Sequence, residues 1–171
     1  MFILIMGGAA SGKSAHAERL LCEAADGDKL YLATMETYSQ AAQQKIARHR
    51  ALRNGKGFET IEQTHALEQI SFPKFYDGIL LEDVGNLVAN ELFFPDSAQC
   101  KTVEQILSEI LYLRRYCNTL VTVTNSVFSD GLPYDDDTRQ YIAVLGQLNT
   151  MLAVRADCVY ESVCGVLCRL Q

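Results

Sequence analysis

Eight consecutive residues, Gly7-Gly8-Ala9-Ala10-Ser11-Gly12-Lys13-Ser14, match the pattern G-x-x-x-x-G-K-[ST]. Glycines at those positions let the backbone turn tightly, so that its N–H groups converge on phosphate oxygens. A helix starting directly after the loop adds the positive end of its dipole. Lys13 would reach the β- and γ-phosphates of a nucleoside triphosphate, and the Ser14 hydroxyl would bind Mg²⁺. Such a site also needs an acid for the metal, expected at the end of a neighbouring strand. The apolar run Ile79-Leu80-Leu81 ends in Glu82 and Asp83, and Glu82 is the better placed of the two. A third feature is the segment Lys45–Lys56, with five basic residues, no acid and a histidine, His49. On a helix, Lys45, His49 and Arg53 would share one face. Neighbouring cations disfavour a protonated imidazole and so leave the ring nucleophilic. The same cations would neutralise a triphosphate and its leaving pyrophosphate. The plain alternative is a solvated basic helix with an incidental surface histidine.

These residues need elements to hold them. Short β-rich apolar runs occur at Phe2–Met6, Lys29–Ala33, Gly78–Leu81, Leu120–Thr124 and Cys158–Val163, with a last strand at Val166–Leu170. Helical spacing predicts helices over Ser14–Ala25, Gln40–Leu52, Thr102–Cys117 and Thr138–Ala156. Tyr141, Leu145, Leu148 and Leu152 form an apolar stripe on the last of these, and read as core. Alternation of this kind signals an α/β domain with a mostly parallel sheet flanked by helices. The phosphate loop then falls between the first strand and the first helix, the context its chemistry requires. At 171 residues, one domain over 1–171 is expected.

The chain carries 15 Lys+Arg against 21 Asp+Glu, a formal charge of −6. That balance argues against a nucleic-acid coat or an anionic-membrane binder, both of which need a basic surface. Outside Lys45–Lys56 only ten basic residues face the 21 acids, so the positive charge is concentrated around His49. The apolar amino terminus has no basic flank, and no run approaches the ~18 residues of a membrane span. Cys22, Cys100, Cys117, Cys158, Cys164 and Cys168 then read as free buried thiols of a cytoplasmic protein rather than a disulfide framework. No C-x-x-C pair suggests zinc.

Taken in order, the residues resemble the bifunctional adenosylcobinamide kinase/adenosylcobinamide-phosphate guanylyltransferase family of cobalamin biosynthesis. The likeness begins with a short strand running into Gly-Gly-x-x-Ser-Gly-Lys-Ser and continues through Tyr31-Leu32-Ala33-Thr34. Lys45-Ile46-Ala47-Arg48-His49-Arg50-Ala51-Leu52-Arg53 is close to the family's Arg-Ile-x-x-His-Arg-x-x-Arg, and Phe58–Glu62 stands where it has Trp-x-Thr-x-Glu. Leu80-Leu81-Glu82, Asn90 on the following helix, Val123-Thr124-Asn125, Pro133, Arg139, Gly146, Asn149 and Ala156-Asp157 follow at the family's spacing. The resemblance implies a RecA-like P-loop NTPase fold and a trimer. It implies ATP or GTP as phosphoryl donor to adenosylcobinamide, and GTP as source of a GMP carried on a histidine, here His49. Nucleotide contacts would fall on Gly7–Ser14, Ala33, Thr34, Met35, Arg50, Ala51, Leu52, Arg53, Glu62 and Glu82. His16 and His65 match no motif and read as surface residues.

The chain also departs from the family. Ser126-Val127-Phe128-Ser129-Asp130-Gly131-Leu132-Pro133 replaces Glu-Val-Gly-x-Gly-Ile-Val-Pro, losing or displacing an acid and two glycines. Arg53-Asn54 replaces Arg-Pro, and Gln40-Ala41-Ala42 replaces Asp-Glu-Met. Nucleotide machinery is kept better than the loops expected to face the corrinoid. Two rival readings are a P-loop kinase of another hydroxylated acceptor without guanylyl transfer, and a non-catalytic nucleotide-binding regulator.

Overall fold

The computed structural model describes residues 1–36, 55–93, 102–126 and 133–171. The helix expected over Gln40–Leu52, with His49 and Arg50–Arg53, lies outside them. Among the described residues one seven-stranded sheet has the order β3-β2-β4-β5-β1-β6-β7. Its strands are β1 (Phe2–Gly7), β2 (Lys29–Ala33), β3 (Phe58–Glu62), β4 (Tyr76–Glu82), β5 (Cys117–Asn125), β6 (Cys158–Val163) and β7 (Val166–Arg169). Every pairing is parallel except the β6–β7 hairpin. Parallel sheets are covered on both faces, which is why their strands read as unbroken apolar runs. In β1, Phe2 and Leu4 enter the core on one face, and Ile3 and Ile5 the core on the other.

Helix α1 (Lys13–Ala24) covers the second face with Ala17 and Leu21. Close approach to β4 is possible because residue 78 is glycine: a Cβ there would lie 2.4 Å from Leu21 Cδ1. Helices α2 (Val84–Phe93), α3 (Val103–Tyr112) and α4 (Asp136–Arg155) supply the core of the other face. Leu145, Leu148 and Leu152 on α4 are fully buried, each contributing about 2 kcal/mol. Tyr141 completes the stripe but is only partly buried.

Several boundaries differ from the sequence reading, each for a local reason. Helix α4 starts before Thr138 because the Asp135 carboxylate accepts from the Thr138 N–H at 2.7 Å, so Asp135 is its cap. Helix α3 has a capping box, Thr102 with Gln105, but stops short of Cys117. There the chain tightens into a 3₁₀ turn, Leu113–Tyr116, and Cys117 already pairs with Tyr76 in the sheet. Strand β3 was not anticipated: it is an edge strand whose Glu59, Thr60 and Glu62 face solvent, so it lacks an apolar run. The thiols also need correction. Among the described cysteines only Cys117 is buried, its thiol pushed up to about 11 by desolvation; Cys22 and Cys158 are half-buried, and Cys164 and Cys168 are exposed.

Cys164 and Gly165 form the two-residue turn of the β6–β7 hairpin, with φ of 49° and 82°. Two positive φ values suit Asn-Gly far better than Cys-Gly. Cys164 is exposed, so no packing is lost on replacement. Cys164→Asn is therefore expected to stabilise the fold by about 0.5 kcal/mol, read as a rise of about 1–2 °C in Tm.

Candidate active site

In parallel α/β sheets, ligands bind beyond the carboxyl ends of the strands, and the register aligns those ends here. Ala33 pairs with both Glu62 and Glu82, and Gly7 pairs with both Asn125 and Ser162. One edge thus carries the ends of β3, β2, β4, β5, β1 and β6, and every described candidate residue lies on it. They are not all at one spot. Glu62 is exposed on the edge strand, four strands from β1, a separation of roughly 19 Å at ordinary strand spacing.

At the end of β1 the chain turns through Gly8, Ala9, Ala10, Ser11 and Gly12, with Ala10 and Gly12 at positive φ, and enters α1 at Lys13. No side chain caps that helix, so its amino-terminal N–H groups face the loop. Lys13 is buried, its ammonium lying across the loop and donating to Gly8 O at 3.0 Å. Ser14, one residue on, donates to Glu82 Oε1 at 2.5 Å. The acid is not on a strand next to β1, as the sequence reading expected, because β5 lies between β1 and β4. Ser14 reaches it because α1 crosses β5 and packs on β4. A hydroxyl and a buried carboxylate are the hard oxygen donors a small divalent cation takes, so the pair fits such an ion.

Glu82 and Asp83 separate in role. The Asp83 carboxylate accepts from the Asn86 N–H at 2.7 Å and caps α2. Its backbone is held by Thr34, whose hydroxyl donates to Asp83 O at 2.7 Å and accepts from Asp83 N–H at 2.9 Å. Thr34 N–H also donates to Glu82 O at 3.0 Å. Asn90 then donates to both Thr34 O and Thr64 O at 2.8 Å, fixing the exits of β2 and β3. Across the sheet, Asn149 accepts from Thr124 Oγ1 at 2.7 Å and donates to Asn125 O at 3.2 Å. Asn90 and Asn149, noticed in the sequence only through the resemblance, are struts for the strand ends. Ala33 closes β2, and Met35 follows Thr34 at this edge, half-buried.

His16 and His65 are half-buried. His16 Nε2 lies 3.1 Å from Gly165 O and His65 Nδ1 3.0 Å from Thr64 Oγ1. The basic segment's described end is also anchored. Lys56, between Gly55 and Gly57 at positive φ, pairs with Glu18 of α1 at 2.7 Å. Sequence reasoning missed Ser162, Gly165 and Glu18; a Cys-Gly pair between two β-rich runs was the one available sign of the hairpin beside the loop.

A family model described as cobinamide kinase/cobinamide phosphate guanyltransferase matches residues 3–170. The chain belongs to this family. It is 31% identical to the bifunctional adenosylcobalamin biosynthesis protein CobU of Escherichia coli K12, covering 97% of each chain. It is 28% identical to CobP of Pseudomonas aeruginosa, covering 95% of this chain and 93% of that one. Among solved structures, the flagellar accessory protein FlaH of Methanocaldococcus jannaschii aligns with a TM-score of 0.54 at 16% identity, over 99% of this chain and 77% of that one. A second solved structure, an ATPase domain, aligns with a TM-score of 0.53 at 13% identity, over 94% and 68%. These structural likenesses carry the fold alone: a mostly parallel sheet flanked by helices, as expected from the sequence.

Two measurements check the site's framework. Thr34→Val, equal in shape, strands the buried Asp83 N–H, while the Asp83 C=O keeps its bond from the Leu87 N–H, and should cost about 1–3 kcal/mol in urea unfolding. Burial, with the Asp83 charge second, pushes the Tyr141 phenol from 10.0 up to about 12. The folded state therefore keeps a proton that the unfolded chain releases near pH 10, and stability should fall as pH rises through 10 to 12. In a titration at 295 nm, Tyr141→Phe should remove that late transition.

Proposed function

We propose that this chain, a kinase and nucleotidyltransferase by family, phosphorylates adenosylcobinamide and then transfers GMP from GTP to adenosylcobinamide phosphate. The observation that carries the reading is the meeting of the phosphate-loop helix and β4 in the Ser14–Glu82 pair, 2.5 Å apart, beside Lys13. In the kinase step the loop N–H groups and Lys13 hold the β- and γ-phosphates of ATP or GTP. Ser14 and Glu82 hold Mg²⁺ or its water; when bound, the ion neutralises charge on the phosphate oxygens. Positioning and charge neutralisation are nearly all that phosphoryl transfer asks of a protein.

In the second step an imidazole nitrogen of His49 attacks the α-phosphorus of GTP. A P–N bond forms as the bond to pyrophosphate breaks. A phosphate oxygen of adenosylcobinamide phosphate then attacks the same phosphorus, the P–N bond breaks, and His49 is restored. Arg50 and Arg53 stabilise the phosphate charge, while Ala33–Met35, Ala51, Leu52 and Glu62 complete the nucleotide contacts. The reading includes one domain over 1–171, a cytoplasmic homotrimer, and no nucleic-acid partner. No helix among the described residues is long and apolar enough to cross a membrane.

GTP labelled at the α-phosphate tests the histidine. The expected result is an acid-labile, base-stable covalent label that is absent in His49→Ala. Lys13→Ala should lower γ-phosphate transfer to adenosylcobinamide about 100-fold or more. A folded enzyme that phosphorylates adenosylcobinamide yet takes no α-label would leave a kinase and sink the guanylylated histidine.

A further inference from the structure

The β6–β7 hairpin ends against the phosphate loop, a contact for which the sheet alone gives no reason. Ser11 O accepts two hydrogen bonds, from Ser162 Oγ at 2.8 Å and from the Gly165 N–H at 2.9 Å. Both of that carbonyl's lone pairs are thereby used. Ser162 is 1% exposed and sits beside Gly7 in the β1–β6 register. The fit is close: a Cβ at Gly7 would lie 2.7 Å from Ser162 O. From the other side His16, in the first turn of α1, faces Gly165 O at 3.1 Å. A ring nitrogen facing a carbonyl carries the proton, so His16 donates.

We infer that Ser162, the Gly165 turn and His16 form a latch that aims the phosphate loop's amides, making Ser162 and His16 positioning residues for triphosphate binding. The argument is the planarity of the peptide bond. In a trans peptide the C=O and the next N–H point in opposite directions. Two donors holding Ser11 O toward the hairpin therefore turn the Gly12 N–H away from it, toward the concave side where phosphate oxygens would sit. Without the latch the peptide between Ser11 and Gly12 is free to rotate, since glycine tolerates either orientation. One converging donor would then be lost from a site whose strength lies in having its donors preset.

The inference rests on the reading of Gly7–Ser14 as the triphosphate site, and the test separates the two. Calorimetric titration of the full chain with GTP and with ATP, both with Mg²⁺, is compared among wild type, Lys13→Ala, Ser162→Ala, His16→Ala and His16→Gln. Thermal melts are recorded on each. Ser162→Ala is expected to weaken triphosphate binding about tenfold, the effect of one lost charge-assisted hydrogen bond. His16→Ala should weaken it severalfold, and His16→Gln, whose amide N–H can reach the same carbonyl, should restore it to within about twofold. In the kinase assay KM should rise more than kcat falls. If His16→Ala and His16→Gln shift Tm alike while both bind as wild type, the latch is only a structural contact and the inference is overturned. Unchanged binding in a folded Ser162→Ala overturns it too. If instead Lys13→Ala binds triphosphate as wild type does, the reading of the loop itself falls, and the latch with it.

Discussion

Everything at this edge depends on the burial of β1. The strand is covered on both faces and paired along both edges, by β5 and β6. Its start is clamped as well: the Phe2 N–H donates to Asp157 Oδ2 at 2.6 Å, and the Asp157 N–H returns a bond to Phe2 O at 2.8 Å. A loop leaving such a strand begins from a fixed point. It can then consist of little more than backbone, because its neighbours supply the rigidity that its own small side chains cannot. Preset N–H groups need no reorganisation when charge arrives, which is the main source of their effect.

The buried acids show how little burial alone says about chemistry. Glu91 accepts from the Ala66 N–H at 2.7 Å and Glu109 from the Leu67 N–H at 3.0 Å, so both hold a connecting segment in place. Asp83 caps a helix, and Glu18 meets Lys56. Glu82 differs in its company rather than in its exposure. It meets a hydroxyl from the helix that follows the phosphate loop, at the strand end where ligands bind in this class of sheet. Geometry of this kind, more than depth, separates a candidate metal ligand from a carboxylate that replaces a missing backbone partner.

The architecture was legible in the sequence wherever both faces of an element are buried. Phe2–Met6 and Lys29–Ala33 stood out because parallel strands in a covered sheet need apolar residues at nearly every position. Strand β3, with one side open to water, left no such mark. The phosphate loop was legible because its chemistry demands particular residues at particular spacings. Its supports were not: Ser162 and Gly165 act through hydrogen bonds to a carbonyl that any residue would present. Glu82 already ranked ahead of Asp83 in the sequence, and the structure supplies the physical reason, since Asp83 caps a helix while Glu82 meets Ser14.

The contact between Ser162 and Ser11 joins residues 151 positions apart. At ordinary rates of translation, roughly 8 to 30 s pass between the synthesis of the two. During that interval β1 has no partner on its β6 edge, and the nascent loop has no anchor for Ser11 O. A growing chain can therefore pair β1 with β5 before the phosphate loop is anchored at Ser11. Loss of the β6–β7 hairpin would be felt at the phosphate loop, far away in sequence.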